Sequence, residues 1–133
     1  NDGLASGDYS AVAGGSSNTA SGVYSVVSGG YDNMADNYYA AVGGGTANVA
    51  SGQGSAVSGG IYNSATGSYS SVLGGVYNTT SGPYASVLGG YDNVASGYYS
   101  AVSGGIYSDS SGFYSSVTGG SYNTASGTAS YEP

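Results

Sequence analysis

Apolar and polar positions along this chain recur with a fixed spacing of fifteen residues. Each unit has the pattern A-S-G-x-Y-S-x-V-x-G-G-x-x-N-x, with one Val, a Gly pair and one Asn. The Val stands at 12, 27, 42, 57, 72, 87, 102 and 117. Self-similarity at a short, constant period is typical of a solenoid, in which each repeat forms one coil that stacks on the next.

The repeat also defines the domain organisation. Full units fill residues 5–124 without insertion or deletion, and partial units stand at 1–4 and 125–133. No linker and no shift in composition divides the chain. We therefore predict one repeat domain, 1–133, of eight full coils with a partial coil on either side.

Each unit predicts two short strands and two tight turns. The first strand covers 84–87 and its equivalents, the Gly pair turns the chain, and the second strand covers 91–95. A Ser-Gly pair then turns it back, and the only substitute for that Gly in a full unit is Asn37. Because Asn tolerates left-handed backbone angles better than most residues, Asn37 predicts a positive φ at this turn. The many Gly residues disfavour helix.

The predicted fold is all-β: a parallel β-solenoid, or β-roll, of 15-residue coils about 4.8 Å apart. Three columns are expected to point inward. They are the Val column, an Ala column (5, 20, 35, 50, 65 and 95) and a Ser/Ala column (10, 25, 40, 55, 70, 85, 100 and 115). This interior is thin, so we expect further burial between chains, as a homo-oligomer.

Charge and composition exclude several functions. The chain has no Lys, Arg, His or Cys, and its net charge is −7. Without cations, binding to nucleic acid or to anionic membrane surfaces is not expected, and no apolar run predicts membrane insertion in this segment. Without His or Cys the usual nucleophiles, bases and soft-metal ligands are missing, so we expect no enzyme, no catalytic residue, no metal site and no cofactor.

One group of oxygen-bearing side chains is a candidate calcium site. Asp32, Asn33, Asp36 and Asn37 lie close together in the sequence, and oxygen ligands suit Ca²⁺. Their spacing matches no calcium-binding motif, so a solvated surface is the prediction. The Asn column itself is predicted to form a hydrogen-bonded ladder at the turn. Asn78 belongs to that column, and we expect its glycosylation sequon to be unused.

The run Ser-x-Val-x-Gly-Gly-x-x-Asn-x-Ala-Ser-Gly-x-Tyr-Ser is clearest at 71–86 and 116–130. It resembles the head repeats of trimeric autotransporter adhesins, the YadA-like heads and haemagglutinin-type repeats of bacterial surfaces. The resemblance implies a left-handed β-roll, three chains associated side by side, and a head that binds host or surface ligands. It also implies an extracellular location at the cell surface.

Tyrosines are the most informative outward feature. One column is interrupted only by Gly54, and its members are Tyr9, Tyr24, Tyr39, Tyr69, Tyr84, Tyr99 and Tyr114. At one ring per coil these rings can stack along the solenoid. They are the predicted contact residues, either for another chain or for a glycan or matrix ligand. Further Tyr residues are assigned to the second strand (31, 62, 77, 91, 107 and 122).

Two functions remain open from the sequence. The first is a non-enzymatic adhesin head or fibre module, a rigid repetitive scaffold for adhesion. The alternative is a structural subunit of an extracellular filament assembled by end-to-end stacking of solenoids. Ice binding is disfavoured because it needs ranks of Thr, and Thr is scattered here. Trimer and filament are the two oligomeric forms expected.

Overall fold

A computed structural model describes residues 2–133, and Asn1 of the predicted partial coil 1–4 lies outside the described residues. The chain is an all-β solenoid, as predicted, with no helix among residues 2–133. Its strands form two nine-stranded parallel sheets, and consecutive strands alternate between them. The left-handed winding that the resemblance implies stays a prediction.

Every strand is two residues long. The alanine sheet contains β1 (Leu4–Ala5), β3 (Thr19–Ala20), β5 (Met34–Ala35), β7 (Val49–Ala50), β9 (Ser64–Ala65), β11 (Thr79–Thr80), β13 (Val94–Ala95), β15 (Asp109–Ser110) and β17 (Thr124–Ala125). The valine sheet contains β2 (Ala11–Val12), β4 (Val26–Val27), β6 (Ala41–Val42), β8 (Ala56–Val57), β10 (Ser71–Val72), β12 (Ser86–Val87), β14 (Ala101–Val102), β16 (Ser116–Val117) and β18 (Tyr131–Glu132).

The register keeps identical positions of successive coils beside one another. In the valine sheet, Val72 pairs with Val57 on one side and with Val87 on the other. A third line of parallel bridges joins the residue after each Gly pair, for example Tyr91 to Ile106. Backbone hydrogen bonds therefore run from coil to coil along the solenoid, which satisfies the backbone polar groups of each coil through its neighbours.

The three predicted inward columns form the core. From Val27 to Val117 the Val column is at most 1% exposed, and Ala20, Ala35, Ala50 and Ala65 are fully buried. The Ser/Ala column is buried from Ser25 to Ser115. The prediction of the interior is confirmed for these coils. In the first coil the same columns are less covered, with Ala5 exposed and Val12 half-buried.

The predicted extent of the strands is wrong. The sequence predicts Tyr84 at the start of the first strand and Asp92 inside the second, yet their φ angles are 57° and 52°. A left-handed residue ends an extended segment, so pairing is confined to β12, β13 and the single bridge at Tyr91. Each coil therefore contains two left-handed corners that the sequence pattern did not predict.

The predicted positive φ at the Ser-Gly turn is also wrong. Neither Asn37 nor the Gly residues of this column, such as Gly67, adopt it. A Cβ at Gly67 would lie 2.2 Å from the carbonyl oxygen of Gly82 in the next coil. Glycine is needed here because two backbones approach closely. Where Asn37 replaces it, the side-chain amide donates to the carbonyl oxygen of Ser51 at 2.8 Å.

The Asn column forms a buried hydrogen-bonded ladder, as predicted, which we call the asparagine ladder (Asn18, Asn33, Asn48, Asn63, Asn78 and Asn93). At Asn63, Nδ2 donates to the carbonyl oxygen of Gly59 at 3.0 Å and to that of Gly75 at 2.8 Å. Its Oδ1 accepts from the backbone N–H of Asn78 at 3.0 Å. One side-chain amide thus closes the Gly-Gly turn of its own coil and joins that turn to the following coil.

Ser108 interrupts this ladder. Its backbone N–H still donates to Asn93 Oδ1 at 3.0 Å, but its own buried hydroxyl has no partner. The shorter side chain cannot donate to Gly104 and Gly120, and it supplies no acceptor to the backbone N–H of Asn123. The φ angle of Gly105 is correspondingly the largest among the second Gly residues, at 105°. The asparagine ladder is therefore broken between Asn93 and Asn123.

Candidate functional site

The predicted contact residues form one exposed column, which we call the first tyrosine ladder: Tyr9, Tyr24, Tyr39, Tyr69, Tyr84, Tyr99 and Tyr114. The structure brings all seven to the same corner of successive coils, each ring at least 43% exposed. Adjacent rings stack with centroids between 4.9 and 5.4 Å apart and planes within 15° of parallel. The predicted stacking is confirmed, and the contact role stays a prediction.

The corner that carries this ladder has an unusual backbone. Its tyrosines have φ between 56° and 59°, a region that costs about 1–2 kcal/mol for a residue with a Cβ. The corner is fixed by a backward hydrogen bond, that is, one to the preceding coil: Tyr84 donates its N–H to the carbonyl oxygen of Ser68 at 2.9 Å. Stacking of each ring on its neighbours offsets part of the conformational cost.

Gly54 is the one gap in this ladder. Its backbone is unchanged, with φ of 65° and its N–H bonded to Tyr38 O at 2.7 Å. The ring of Tyr69 leans over it, so that a Cβ at Gly54 would lie 2.6 Å from Tyr69 Cδ1. Gln53 Nε2 also donates to Tyr69 Oη at 3.4 Å. The gap is therefore partly filled.

A second tyrosine ladder, which the sequence pattern does not predict, lies at the other left-handed corner. It consists of Tyr62, Tyr77, Tyr107 and Tyr122, all with φ between 54° and 58°. Tyr62 stacks on Tyr77 at 5.1 Å, and Tyr107 stacks on Tyr122 at 5.2 Å. The strand predicted for these residues from the sequence is wrong, because a left-handed residue ends an extended segment. Asp at two positions of the column, 32 and 92, was the available signal, because Asp is enriched at positive φ.

A broader aromatic surface lies beside the first ladder in two consecutive coils. Tyr98 stacks on Phe113 at 5.4 Å, and each ring meets the neighbouring ladder ring edge to face. The centroids are 4.8 Å apart for Tyr98 and Tyr99, and 4.6 Å for Phe113 and Tyr114. All four rings are exposed, which makes an apolar patch of the kind that marks contact sites.

Crowding of the phenols changes their acidity. Desolvation, and then the neighbouring Tyr98, Tyr84 and Tyr114, raise the pKa of Tyr99. The neighbouring phenol of Tyr91 is the largest cause that raises the pKa of Tyr107, followed by desolvation. These phenols therefore stay protonated at neutral pH and can both donate and accept hydrogen bonds.

The other sequence candidates have structural roles. Asn78 is fully buried with both amide hydrogens bonded, so a glycan there would break the asparagine ladder. Asn33 Oδ1 accepts from the N–H of Asn48, so it does not converge with Asp32 and Asp36 on a cation. Residues 2–133 contain no cluster of three His, Cys, Asp or Glu residues that could hold a metal ion, and no cavity.

No helix in the described part of the chain has the length and apolar character needed to cross a bilayer. Comparison with protein-family models gives no match, and comparison with curated proteins gives none either. The resemblance to adhesin heads therefore depends on the repeat residues themselves.

Proposed function

We propose that this chain is a non-enzymatic module of an extracellular adhesin head or fibre, at the cell surface. It is a rigid scaffold whose contact surface is the first tyrosine ladder. The observation that carries the proposal is this column of seven exposed rings on a solenoid whose Val, Ala and Asn columns all serve internal packing. Enrichment of exposed tyrosine is typical of binding surfaces, where rings supply large contact area.

The geometry indicates how the ladder meets a partner. Stacked rings cover each other's faces, so a partner contacts ring edges and the phenol Oη atoms, which recur about every 5 Å along the solenoid. A glycan or an extended matrix polypeptide offers hydrogen-bonding groups at a comparable repeat. Many weak, equivalent contacts then add up through multivalency.

Association into a homo-oligomer, a trimer in this proposal, is supported by the valine sheet. From Ala41 to Ser116 its outer column carries only Ala and Ser and no carboxylate, for example Ala56, Ser71 and Ala101. Leu73 and Leu88 beside it are each 51% exposed. Such a flat, uncharged face allows another chain to approach closely, and a chain with a thin core benefits from the added burial.

Binding assays with paired variants test the proposal. The double substitution Tyr84→Asn and Tyr99→Asn removes two rings while Asn still tolerates positive φ. We expect it to weaken binding to immobilised matrix proteins or arrayed glycans at least tenfold. Tyr62→Asn with Tyr122→Asn, in the second ladder, is the matched control and should bind normally. Equal binding by all three proteins would exclude the first ladder as the contact surface.

The second candidate is a structural subunit of an extracellular filament. It is supported by the contacts between coils, since the asparagine ladder and the Val column pass from coil to coil in the same register. A coil from another copy could continue them by the same bonds. Electron microscopy separates the candidates, because discrete short trimers favour the adhesin head and long filaments favour the fibre. A stable monomer would count against both.

A further inference from the structure

Asp92 stands in the column of the second tyrosine ladder, at a position that tyrosine holds in both neighbouring coils. The column places this carboxylate between Tyr77 in the preceding coil and Tyr107 in the next. The ring of Tyr91 stands nearly perpendicular to both, with centroids 5.9 Å from Tyr77 and 5.7 Å from Tyr107. Asp92 is half-buried and φ is 52°, fixed by a bond from its N–H to Val76 O at 2.9 Å.

The chain contains a matched site without the rings. Residues 31–33 repeat the Tyr-Asp-Asn of residues 91–93, and Asp32 also has a left-handed backbone, with φ of 56°. Its neighbours in the column are Ser17 and Ala47, and its side chain is exposed. The backbone is therefore the same at both sites, and the aromatic surroundings are what differs.

The electrostatics of the Asp92 site favour a cation. The chain has no Lys, Arg or His, so no side chain can neutralise this carboxylate. The faces of the surrounding rings carry negative potential. A small metal ion prefers several oxygen ligands, whereas here one carboxylate stands among rings. A weakly hydrated organic ammonium suits both the rings and the carboxylate.

We infer that Tyr77, Tyr91, Asp92 and Tyr107 bind a compact organic cation of the quaternary ammonium class, such as a choline head group. Tyr77 and Tyr107 are two coils, about 10 Å, apart, and the Tyr91 ring lies between them. The cation therefore lies on the solvent side of Tyr91, against its ring face and beside the carboxylate. Because no cavity encloses the site, we expect weak binding, with a dissociation constant in the millimolar range. This inference does not depend on the proposed function.

The direct test is an NMR titration of the isotopically labelled protein with tetramethylammonium chloride. We expect saturable shifts of the amides of residues 76–78, 91–93 and 106–108, and none at 31–33. Sodium chloride at equal ionic strength and 3,3-dimethylbutan-1-ol, the neutral analogue of choline, should leave these amides unchanged. Shifts that fail to saturate, or that either control reproduces, would overturn the site.

Single substitutions test the contributions of the carboxylate and of the rings to binding one at a time. Asp92→Asn keeps the backbone conformation and should weaken binding at least fivefold, while the matched Asp32→Asn should have no effect. Tyr91→Val introduces the residue found at Val76 in the same column and should also weaken binding. If Asp92→Asn, with an unchanged fold by its amide spectrum, binds like the parent, the inference is wrong.

A gain-of-function variant gives an independent answer. Ser17→Tyr together with Ala47→Tyr places rings on both sides of Asp32, in a column where Tyr is already tolerated at 62 and 77. We expect a second titrating set of amides at 31–33. Its absence in a folded variant would show that rings and carboxylate do not suffice.

The source of the ammonium group is tested separately. Phosphatidylcholine vesicles are sedimented with the protein, and phosphatidylglycerol vesicles serve as the comparison. Binding to choline and to phosphatidylcholine assigns a lipid head group, and binding to choline alone assigns a free ammonium compound. Failure to bind choline overturns both assignments.

Discussion

The asparagine ladder inside the solenoid and the first tyrosine ladder outside it have the same period and respond very differently to change. Replacing one Asn by Ser108 leaves a buried hydroxyl without a partner and removes the amide bonds that other coils make to their Gly-Gly turns. Replacing one Tyr by Gly54 leaves the backbone conformation of that corner as it is elsewhere. The asparagine ladder stabilises the backbone of the coil, whereas the backbone of the coil positions the rings of the first tyrosine ladder.

The difference shows where this chain has freedom to acquire function. Interior amides make directional hydrogen bonds in the absence of water, so each loss leaves buried polar groups unsatisfied. Exterior rings make contacts that water and neighbouring rings can replace. The outward positions can therefore change from coil to coil without affecting the fold.

The largest effect is expected from Gly60→Ala. Gly60 has φ of 91°, and a Cβ there would lie 2.2 Å from the carbonyl oxygen of Gly75 and 2.5 Å from Asn63 Nδ2. Breaking both the turn and the asparagine ladder should lower the free energy of unfolding by at least about 4 kcal/mol. Guanidinium unfolding followed by circular dichroism measures it. Gly59→Ala is the matched control: a Cβ there meets nothing within 4 Å, so the change should stay within about 1 kcal/mol.

Asn63→Ala should destabilise the protein by about 3 kcal/mol, since it leaves the carbonyl of Gly59 and the N–H of Asn78 without partners. The carbonyl of Gly75 keeps a bond from the N–H of Ile61. The same unfolding assay applies, with exposed Ser58→Ala as the control. A loss below about 1 kcal/mol would mean that water satisfies the turn and that the ladder is not structural.

Ser108→Asn should restore the missing amide and stabilise the protein by about 1–2 kcal/mol. Hydrogen exchange is the sharper measurement, because stability in a repeat protein is partly local. Slower exchange is expected in the coil from Ser108 to Asn123, and the coil around Asn48 should not change. Exposed Ser103→Asn is the control, and equal protection in both variants would contradict the prediction.

Alkaline pH should weaken the exterior ladders first. The pKa values of Tyr99 and Tyr107 are raised in the folded protein, so the folded state favours their protonated phenols. That stabilisation is present below the unfolded pKa of about 10 and is lost as the pH rises through the folded values. Phenolate absorbance and ellipticity recorded together should show this loss. Tyr99→Phe should reduce it, and stability that increases with alkaline pH would contradict it.

The smallest effect is expected from Gly54→Tyr, which completes the first ladder. Two new stacked pairs contribute about 0.5–1.5 kcal/mol each, and the left-handed backbone of a residue with a Cβ costs about 1–2 kcal/mol. Tyr69 must also move off Gly54. The net change in unfolding free energy should stay below about 1 kcal/mol. A change as large as that of Asn63→Ala would remove the distinction between the two ladders.

Much of the fold follows from the sequence because the period assigns every residue to a column. Val, Ala and Asn recur at the buried positions of each coil, where few other side chains fit. The inward columns and the asparagine ladder could therefore be predicted. The left-handed corners could not, since Tyr has no preference for positive φ. The same φ occurs without a ring at Ala47 and Gly54, where the backbone N–H also bonds to the preceding coil, so the coil imposes it. Gly54 within the Tyr column was a signal for such a corner.

The candidate site is predictable in part for the same reason. The first ladder follows from spacing alone, but the rings around Asp92 depend on which side chains the corners bring together. Tyr91 and Tyr107 are sixteen residues apart and lie in different columns, so only the coil geometry shows that they meet. A recurring glycine is ambiguous in the same way, because its reason cannot be read from the sequence. Gly67 is required by close approach of two backbones, and Gly60 by positive φ.

The coil-to-coil register has a mechanical consequence. Bonds between coils run along the solenoid axis, so a force that pulls the two ends apart separates one coil at a time. Each fifteen-residue coil that opens releases about 50 Å of extended chain in place of about 5 Å of folded length. Under tension such a solenoid would lengthen stepwise and dissipate work at each step.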